Sequence, residues 1–249
     1  MARVLAVANQ KGGVGKTTTV VSLAAALVQA GQRVLVVDLD AQACATFCLG
    51  LDPEDLTESA AGALLRTADG ASILRVADGI DLLPATLELS AADHELARRP
   101  GRELVVRELL AGVRDAYDWI LLDCSPSLGI LTIAALVAAD EVLIPLQCET
   151  LSHRGVGQLI ETVADVRAWA NPDLQIAGLL PTLYDGRTAH ARAVLADLST
   201  RYGVPVLGPI TRSVRFAESP AVGRSILATA PRSRGASEYR ALASALLGR

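Results

Sequence analysis

The segment Gln10-Lys11-Gly12-Gly13-Val14-Gly15-Lys16-Thr17-Thr18 decides the fold of this 249-residue chain. It follows a short apolar run, Arg3–Ala8, and overlaps the start of a longer run rich in Ala and Leu, Thr17–Ala30. An apolar run without polar alternation is typical of a buried parallel strand. The longer run contains good helix formers and is followed by Gly31, a typical residue for a helix end. The sequence therefore predicts a strand, a glycine-rich loop and a helix in succession.

This loop has the composition of a phosphate-binding turn. Glycines allow backbone N–H groups to point toward phosphate oxygens, and the N-terminus of the following helix adds its positive dipole end. In this spacing Lys16 reaches the β- and γ-phosphates and the Thr17 hydroxyl holds Mg²⁺. Gln10 stands where the strict pattern has its first glycine. A glycine-rich helix entry without a ligand is the alternative, and we predict a nucleotide-phosphate site over Lys11–Thr18.

The alternation of strands and helices continues along the chain. The predicted strands are Arg3–Ala8, Arg33–Asp38, Ile80–Pro84, Trp119–Asp123, Glu141–Pro145, Leu174–Leu183 and Val206–Ile210. The predicted helices are Thr17–Ala30, Glu54–Arg66, Glu88–Arg98, Arg102–Asp115, Gly129–Ala138, Gly155–Ala170, Thr188–Tyr202 and Gly235–Gly248. This order predicts one α/β domain over residues 1–249, with a doubly wound, mostly parallel sheet flanked by helices. Ligands of such sheets bind beyond the carboxyl ends of the strands.

The overall composition excludes several classes of protein. Hydrophobic residues make up 51% of the chain and charged residues 20%, which excludes a disordered or collagen-like chain. The most apolar stretch, Leu128–Ala139, is far shorter than the roughly 20 residues of a membrane-spanning helix. The apolar run before Asn9 is too short for the core of a signal peptide. We therefore expect a cytoplasmic protein without a membrane partner.

The charge distribution is uneven. The net charge is −4, yet residues 181–249 contain 10 Arg against 4 acidic residues. A basic section on an acidic chain indicates a surface that faces a polyanion, although solvated arginines alone would give the same count. Of the 23 basic residues only Lys11 and Lys16 are lysines. Because a guanidinium replaces the ammonium everywhere else, both lysines are expected to have roles that arginine cannot fill.

Three carboxylates are predicted at the ends of strands. Asp38 and Asp40 flank Leu39, so alternation directs both side chains toward the same side of the sheet. Asp123 ends another strand after four apolar residues, a position from which a carboxylate can hold Mg²⁺ directly or through water. Strand-end carboxylates that merely cap the next turn are the alternative for these residues.

The cysteines and histidines form no recognisable metal site. They lie at Cys44, Cys48, Cys124, Cys148, His94, His153 and His190. Without a CxxC pair or a Cys/His cluster, zinc and iron–sulfur ligation are disfavoured. Four cysteines without a small disulfide framework fit a reducing compartment. None of the histidines is a catalytic candidate.

The chain resembles the ParA/Soj family of partition ATPases, whose nearest relatives are the MinD division regulators. The resemblance rests first on Lys11–Thr18, a deviant Walker A motif. Further matching segments are Val37-Asp38-Leu39-Asp40-Ala41-Gln42, Leu121-Leu122-Asp123-Cys124-Ser125-Pro126-Ser127, Tyr184-Asp185-Gly186-Arg187-Thr188 and Val214-Arg215-Phe216-Ala217-Glu218-Ser219-Pro220. Together they cover nearly the whole chain and imply a P-loop NTPase fold of the deviant Walker A type.

The resemblance implies ATP and Mg²⁺ as cofactors, with slow, partner-stimulated hydrolysis. Two subunits would enclose two ATP molecules, and Lys11 would reach the partner's nucleotide, supplying charge as an arginine finger does. Lys16 and Asp40 are the other implied catalytic residues: Asp40 would orient the attacking water, while Thr17 and Asp123 would hold the metal.

The resemblance also implies a role on DNA. Arginines at the positions of Arg187 and Arg215 are assigned to sequence-independent DNA binding, and Arg212 lies in a loop of the same basic section. Contacts of that kind need charge and reach but no base recognition. The implied partners are double-stranded DNA of the nucleoid, a ParB-like protein and a second copy of this chain.

Two departures from the family pattern leave other functions open. Ala41 and Ala43 replace a proline and a glycine, so the loop is expected to lose a fixed φ and access to positive φ. Together with Cys44 they suggest an ATP-binding scaffold that hydrolyses slowly. Thr211-Arg212-Ser213 replaces Pro-Arg-Asn, which removes a basis for assigning an adenine contact. A MinD-like membrane switch is the other alternative, but residues 238–247 contain too few basic and bulky residues for it.

Overall fold

Seven strands of the computed structural model form one sheet flanked by helices. The structure describes residues 1–66, 72–149 and 152–249, without the side chains of 152–154, 190 and 199. The strands are β1 (Arg3–Val7), β2 (Val34–Leu39), β3 (Leu74–Arg75), β4 (Asp81–Leu83), β5 (Trp119–Cys124), β6 (Glu141–Gln147) and β7 (Gln175–Thr182). The helices are α1 (Lys16–Gln29), α2 (Cys44–Cys48), α3 (Ala60–Leu65), α4 (Glu88–Leu96), α5 (Val105–Ala111), α6 (Ile130–Ala138), α7 (Ser152–Trp169), α8 (Ala189–Tyr202), α9 (Arg215–Glu218), α10 (Ile226–Thr229) and α11 (Arg234–Leu247).

The strand order is β3-β4-β2-β5-β1-β6-β7. Every pairing is parallel except that of the short edge strand β3 with β4. β1 lies between β5 and β6, so the loop after Val7 leaves the sheet near its middle. Asp123 of β5 is in register with both Val7 of β1 and Asp38 of β2. The predicted, mostly parallel α/β sheet is confirmed, and its carboxyl edge brings the phosphate loop and the strand-end acids together.

Both faces of the sheet are buried. Leu5 and Val7 of β1 belong to one core cluster with residues of α1 and α11. Val4 and Ala6 belong to the opposite cluster with residues of α6 and α7. Because successive side chains of a strand point to opposite faces, a strand covered on both sides contains no polar alternation. This doubly wound packing explains the continuous apolar runs in the sequence.

The predicted strand Val206–Ile210 is wrong. The segment lies beside β7, but it pairs with β7 through an isolated parallel bridge between Leu179 and Val206, without forming a regular strand. Pro209 has no N–H to donate, and the next backbone hydrogen bond runs from Ile210 N to Pro181 O at 2.7 Å. A proline inside an apolar run therefore broke the regular pairing that the run predicted.

Several predicted helices are shorter than expected. The predicted helix Glu54–Arg66 is confined to α3, whose start is capped by the Ser59 hydroxyl. Residues Pro53–Asp55 form a separate turn of 3₁₀ helix. The predicted helix Arg102–Asp115 is reduced to α5 between two 3₁₀ turns. The short helices α2, α9 and α10 were not predicted, because four or five residues carry too little periodicity to reveal a helix.

None of the helices in the described ranges is both long enough and apolar enough to cross a membrane. The side chains of His153 and His190, which were not predicted to be catalytic, lie outside the described set.

Candidate nucleotide site and basic cavity

The phosphate loop connects β1 to α1, as predicted. Gly13 and Gly15 have φ angles of 72° and 81°, in the left-handed region that favours glycine. α1 begins at Lys16 without a side-chain cap and has no acidic residue in its first turn. Its first N–H groups and positive dipole end are therefore available to an anion.

Polar side chains from neighbouring strands hold this loop in place. Gln147 donates from Nε2 to the carbonyl of Gly13 at 2.8 Å, and Thr182 donates from Oγ1 to the carbonyl of Val14 at 2.7 Å. Asn9 donates to a β6 carbonyl at 2.7 Å. These residues were missed by the sequence analysis. Their one signal in the sequence is their position at or just after the ends of β1, β6 and β7. That these ends meet at the loop can be recognised only when the strand order is known.

Lys16 lies folded along the loop. It is only 7% exposed, and its Nζ donates to the carbonyl of Lys11 at 3.2 Å. Burial lowers its pKa, and the charge of Asp123 acts in the opposite direction. An ammonium held inside the loop next to a helix N-terminus without a side-chain cap is placed to meet phosphate oxygens.

Lys11 points away from Lys16. Its ammonium forms an ion pair with Glu149, which follows the end of β6. Its backbone N–H donates to Asn9 Oδ1 at 3.0 Å, so Asn9 begins an Asx turn that Lys11 closes. The two lysines therefore have different surroundings: Lys16 is buried in the loop, and the Lys11 side chain is 38% exposed at its rim.

Asp123 is a fully buried carboxylate. Neither of its oxygens receives a hydrogen bond of normal geometry from the described residues. Burial raises its pKa well above the ordinary value, and the charge of Asp38 raises it further. The nearby Thr17 hydroxyl and Lys16 ammonium offset part of this effect. A buried carboxylate of this kind requires a cation or a proton.

The residues at this position fit Mg²⁺. Asp123 and Thr17 offer the hard oxygen donors that Mg²⁺ prefers, and Mg²⁺ commonly takes its remaining ligands from phosphates and water. Among the described residues, no cluster of three or more His, Cys, Asp or Glu side chains could hold a metal by itself. A metal here would therefore depend on a phosphate ligand in the loop.

Asp38 and Asp40 have different roles despite their spacing. Asp38 is fully buried and accepts hydrogen bonds from the Thr46 N–H at 2.9 Å and the Thr46 hydroxyl at 2.8 Å. Burial raises the pKa of Asp38 to about 6, although these hydrogen bonds act against the rise. Asp38 thus anchors α2, in line with the capping alternative. Asp40 is partly exposed and accepts from the Gln42 N–H at 3.0 Å.

The loop after Asp40 keeps a left-handed residue without glycine. Ala43 has φ 51° and ψ 34°, and its N–H donates to the Asp40 carbonyl at 2.8 Å. The expectation that alanine removes access to positive φ here is wrong. The conformation costs about 1 kcal/mol for a residue with a Cβ, and the buried anchor at Asp38 holds it.

A cavity of about 800 Å³ lies beyond the end of β7. Its lining includes Leu183, which directly follows the Thr182 that holds the phosphate loop, and the three arginines Arg187, Arg212 and Arg234. The nucleotide site and the basic section of the sequence therefore meet at one edge of the sheet. We call this space the basic cavity.

The predicted DNA-binding arginines differ in their partners. Arg187 forms two hydrogen bonds with Asp185, both of 2.9 Å, and Arg215 pairs with Glu218 at 2.8 Å. Arg212 has no ion pair within the part of the chain that the structure describes. Arg187 and Arg212 share the basic cavity, whereas Arg215 lies in α9 outside its lining.

The thiols are unactivated. Burial raises the pKa of each of the four, at Cys44, Cys48, Cys124 and Cys148. A reactive thiol has a lowered pKa, so the cysteines are not suited to act as nucleophiles.

Comparison with known proteins agrees with this site. A family model described as an AAA domain matches residues 2–176. The chromosome-partitioning ATPase Soj of Thermus thermophilus is 45% identical over 248 residues, covering 99% of this chain and 96% of the relative. The sporulation initiation inhibitor protein Soj of Bacillus subtilis is 42% identical over 246 residues, covering 98% of this chain and 97% of the relative.

A solved structure from Mycobacterium smegmatis is also similar. It is described as cobyrinic acid a,c-diamide synthase with bound ADP and magnesium. It superposes with a TM-score of 0.89 at 48% identity and covers 100% of this chain and 97% of its own. Full-length similarity to Soj proteins, together with the deviant Walker A loop, decides the family. The chain belongs to the ParA/Soj family of chromosome-partitioning ATPases.

Proposed function

We propose that this protein is an ATP-dependent, dimerising ATPase that binds DNA without sequence preference and acts in chromosome or plasmid partition with a ParB-like partner. One observation carries the proposal: Thr182 hydrogen-bonds the phosphate loop, and the next residue, Leu183, lines the basic cavity. The arginines of that cavity therefore lie at the same edge of the sheet as the phosphate loop. A partition ATPase of this kind would associate with nucleoid DNA.

The donors of the phosphate loop support MgATP as the ligand. Lys16 and the N–H groups of α1 would bind the phosphates, and Thr17 and Asp123 would hold Mg²⁺. When bound, the metal supplies positive charge that neutralises the phosphate oxygens during transfer. Asp123 would then release its proton when the cation binds, because its burial disfavours an unpaired negative charge.

Hydrolysis would depend on two residues at the rim of the site. Asp40 is partly exposed and would orient a water toward the γ-phosphate. Lys11 is held by Glu149 of its own subunit and would leave that ion pair to reach the nucleotide of a second subunit. The ion pair keeps this positive charge away from its own nucleotide until a partner is present.

DNA binding would use the arginines of the basic cavity and α9. Arg212 makes no ion pair with the described residues and would contact phosphate first. Arg187 and Arg215 would exchange their carboxylates, Asp185 and Glu218, for phosphate oxygens. These pairs are exposed, so the exchange costs little.

Alternative functions receive less support from the structure. In a MinD-like membrane switch, a C-terminal amphipathic helix needs a free apolar face. In α11, Tyr239, Leu242 and Leu246 are instead buried in the core cluster that contains α1.

The test is a DNA gel shift with ATP, with ADP and without nucleotide, each at two salt concentrations. We expect retention with ATP only, on DNA of any sequence, and weaker at the higher salt. The double variant Arg187→Glu and Arg215→Glu should lose retention while its ATP affinity is unchanged. Absence of retention in every nucleotide state would reject the proposed DNA function. Measuring ATP turnover with and without DNA and partner distinguishes an ATPase from a non-hydrolysing scaffold.

A further inference from the structure

The segment that carries Arg215 is packed against elements that begin at the phosphate site. It comprises α9 and the 3₁₀ turn Ser219–Val222, and we call it the arginine arm. α1 begins at Lys16 of the phosphate loop, and α2 begins four residues after Asp40. The arm is linked to α1 through Tyr239 of α11 and meets the end of α2 through backbone.

The first contact passes through a buried hydroxyl pair. Thr19 lies in the first turn of α1, and its Oγ1 is 3.1 Å from the hydroxyl of Tyr239 of α11. Thr19 is 0% exposed and Tyr239 is 1% exposed. The ring of Tyr239 meets Phe216 edge to face, with centroids 5.9 Å apart and an interplanar angle of 88°. Phe216 follows Arg215 directly in the chain.

Phe216 is partly buried and packs closely on one side. A Cβ added at Gly235 would lie 2.6 Å from Phe216 Cζ and 3.1 Å from Ile226 Cδ1. The ring therefore lies against the start of α11 and α10. A displacement of Tyr239 would reach Phe216 through their edge-to-face contact, because closely packed side chains transmit strain.

The second contact joins the arm to α2. A Cβ added at Gly223 would lie 2.5 Å from the Cα of Gly50, so the two backbones touch. Gly50 follows α2, whose Thr46 is bonded to the buried Asp38. The arm is thus linked through α2 to Asp38 and through Tyr239 to the first turn of α1.

The far end of the arm is fixed. Asp78 is 7% exposed and accepts from the Ser225 N–H at 2.9 Å, the Ser225 hydroxyl at 2.6 Å and Arg224 at 2.9 Å. Arg224, part of the basic section, is therefore engaged in an ion pair with Asp78 that stabilises the fold. Because the chain directly after the arm is held at Ser225, the arm can respond to α1 and α2 mainly at its Arg215 end.

We infer that Tyr239 and Phe216 are positioning residues that couple the phosphate loop to Arg215, so that binding of a nucleoside triphosphate at α1 sets the position of the arginine arm. The path runs from Thr19 to Tyr239, then to Phe216 and Arg215. Its effect on DNA affinity rests on the proposed function, whereas the nucleotide-dependent change in the arm does not.

The test compares Tyr239→Phe, Thr19→Val and the double variant with the unmodified chain. Each single variant removes one hydroxyl of the pair, and Tyr239→Phe keeps the ring that contacts Phe216. Hydrogen exchange of residues 213–222 is measured with and without ATP and Mg²⁺, alongside ATP affinity and ATP-dependent DNA retention. We expect ATP to slow exchange in the unmodified chain about tenfold, within the usual range of coupling between sites.

In both single variants this ATP-dependent difference should disappear while ATP affinity changes less than about twofold. The double variant should match the singles, because one interaction is removed in each case. The inference is overturned if ATP does not change exchange in the unmodified chain, or if the variants keep the full change. A nucleotide-dependent arm without DNA retention would instead reject the proposed DNA function and leave the coupling standing.

Discussion

Lys11 and Glu149 form an ion pair across the rim of the phosphate loop, within a single subunit. Their side chains are 38% and 56% exposed, so the pair contributes little to the stability of the fold. Under the proposed function, the pair would hold the Lys11 charge outside its own nucleotide site while the chain is alone.

Lys11→Ala should therefore separate function from stability. We expect the midpoint of thermal unfolding to stay nearly the same, because an exposed pair contributes about 0–1 kcal/mol. ATP-dependent dimer formation, measured by light scattering after size exclusion, should be lost. Arg33→Ala removes an exposed pair with Asp118 and should change neither property. A Lys11→Ala protein that dimerises normally with ATP would rule out the contact with the partner's nucleotide.

Asp40→Ala should trap the ATP-bound dimer. The side chain is partly exposed and holds only the turn at Gln42, so ATP affinity should remain. Turnover should fall by about a hundredfold or more if the carboxylate orients the attacking water. Turnover and dimer lifetime are measured together, with Asp115→Ala as a control for an exposed carboxylate. A variant that binds ATP but stays monomeric would contradict this role.

Asp123→Asn should stabilise the nucleotide-free protein at high pH. The folded state raises the pKa of Asp123 well above its ordinary value, so it binds a proton that the unfolded chain releases. The resulting stability is fully present below about pH 4 and is lost as the pH rises through the folded-state pKa. Asn cannot ionise, and the variant avoids this loss.

Thermal unfolding of both proteins at pH 8 and near pH 4, without nucleotide or metal, checks this prediction. At pH 8 we expect the variant to be more stable by about 1–3 kcal/mol, with the gain disappearing near pH 4. The variant should also lose the stabilisation that MgATP gives the unmodified chain. A less stable variant at pH 8 would show that the buried carboxylate has a compensating partner.

Arg212→Ala should weaken DNA binding more than Arg215→Ala. Arg215 already pairs with Glu218, whereas Arg212 has no ion pair among the described residues. Loss of one phosphate contact lowers the slope of log affinity against log salt by about 1. Titrations at several salt concentrations measure this slope, with Arg201→Ala, outside the lining of the basic cavity, as the control. Equal losses for Arg212 and Arg215 would argue against the pairing as the deciding factor.

Gly223→Ala should destabilise the fold by about 2–4 kcal/mol. Its Cβ would lie 2.5 Å from Gly50 Cα, at a φ of +63°. Gly203→Ala is the matched control, because its φ is +61° and nothing lies within 4 Å of the added Cβ. The control should cost only the backbone strain, about 1 kcal/mol. Equal midpoints in urea unfolding for both variants would show that the backbone contact can relax.

The phosphate site could be predicted because its signals are local. Three glycines and two lysines within nine residues lie between a strand and a helix, and Asp123 directly ends an apolar run. The contacts of Gln147 and Thr182 with the loop could not be predicted. They depend on β6 and β7 lying next to β1, and periodicity carries no information about strand order.

Two errors have a common physical origin. In the segment Val206–Ile210 the apolar run was given more weight than Pro209, which removes a donor from the ladder. At Ala43 the local preference against positive φ was given more weight than the tertiary contacts that impose it. In both cases the local preference of one residue conflicts with the surrounding structure. At Pro209 the local preference decides the outcome and regular strand pairing is lost. At Ala43 the tertiary contacts decide it and the backbone is left-handed.

The two lysines have a consequence for chemical labelling. Within residues 1–249, an amine-reactive ester has two side-chain targets. Lys16 is 7% exposed, so Lys11 is the more accessible amine. An isotope-coded acylation experiment would thus report on one position at the rim of the nucleotide site. Acylation rates followed by mass spectrometry would record when the Lys11 amine separates from Glu149 and becomes inaccessible to the reagent, without any engineered label.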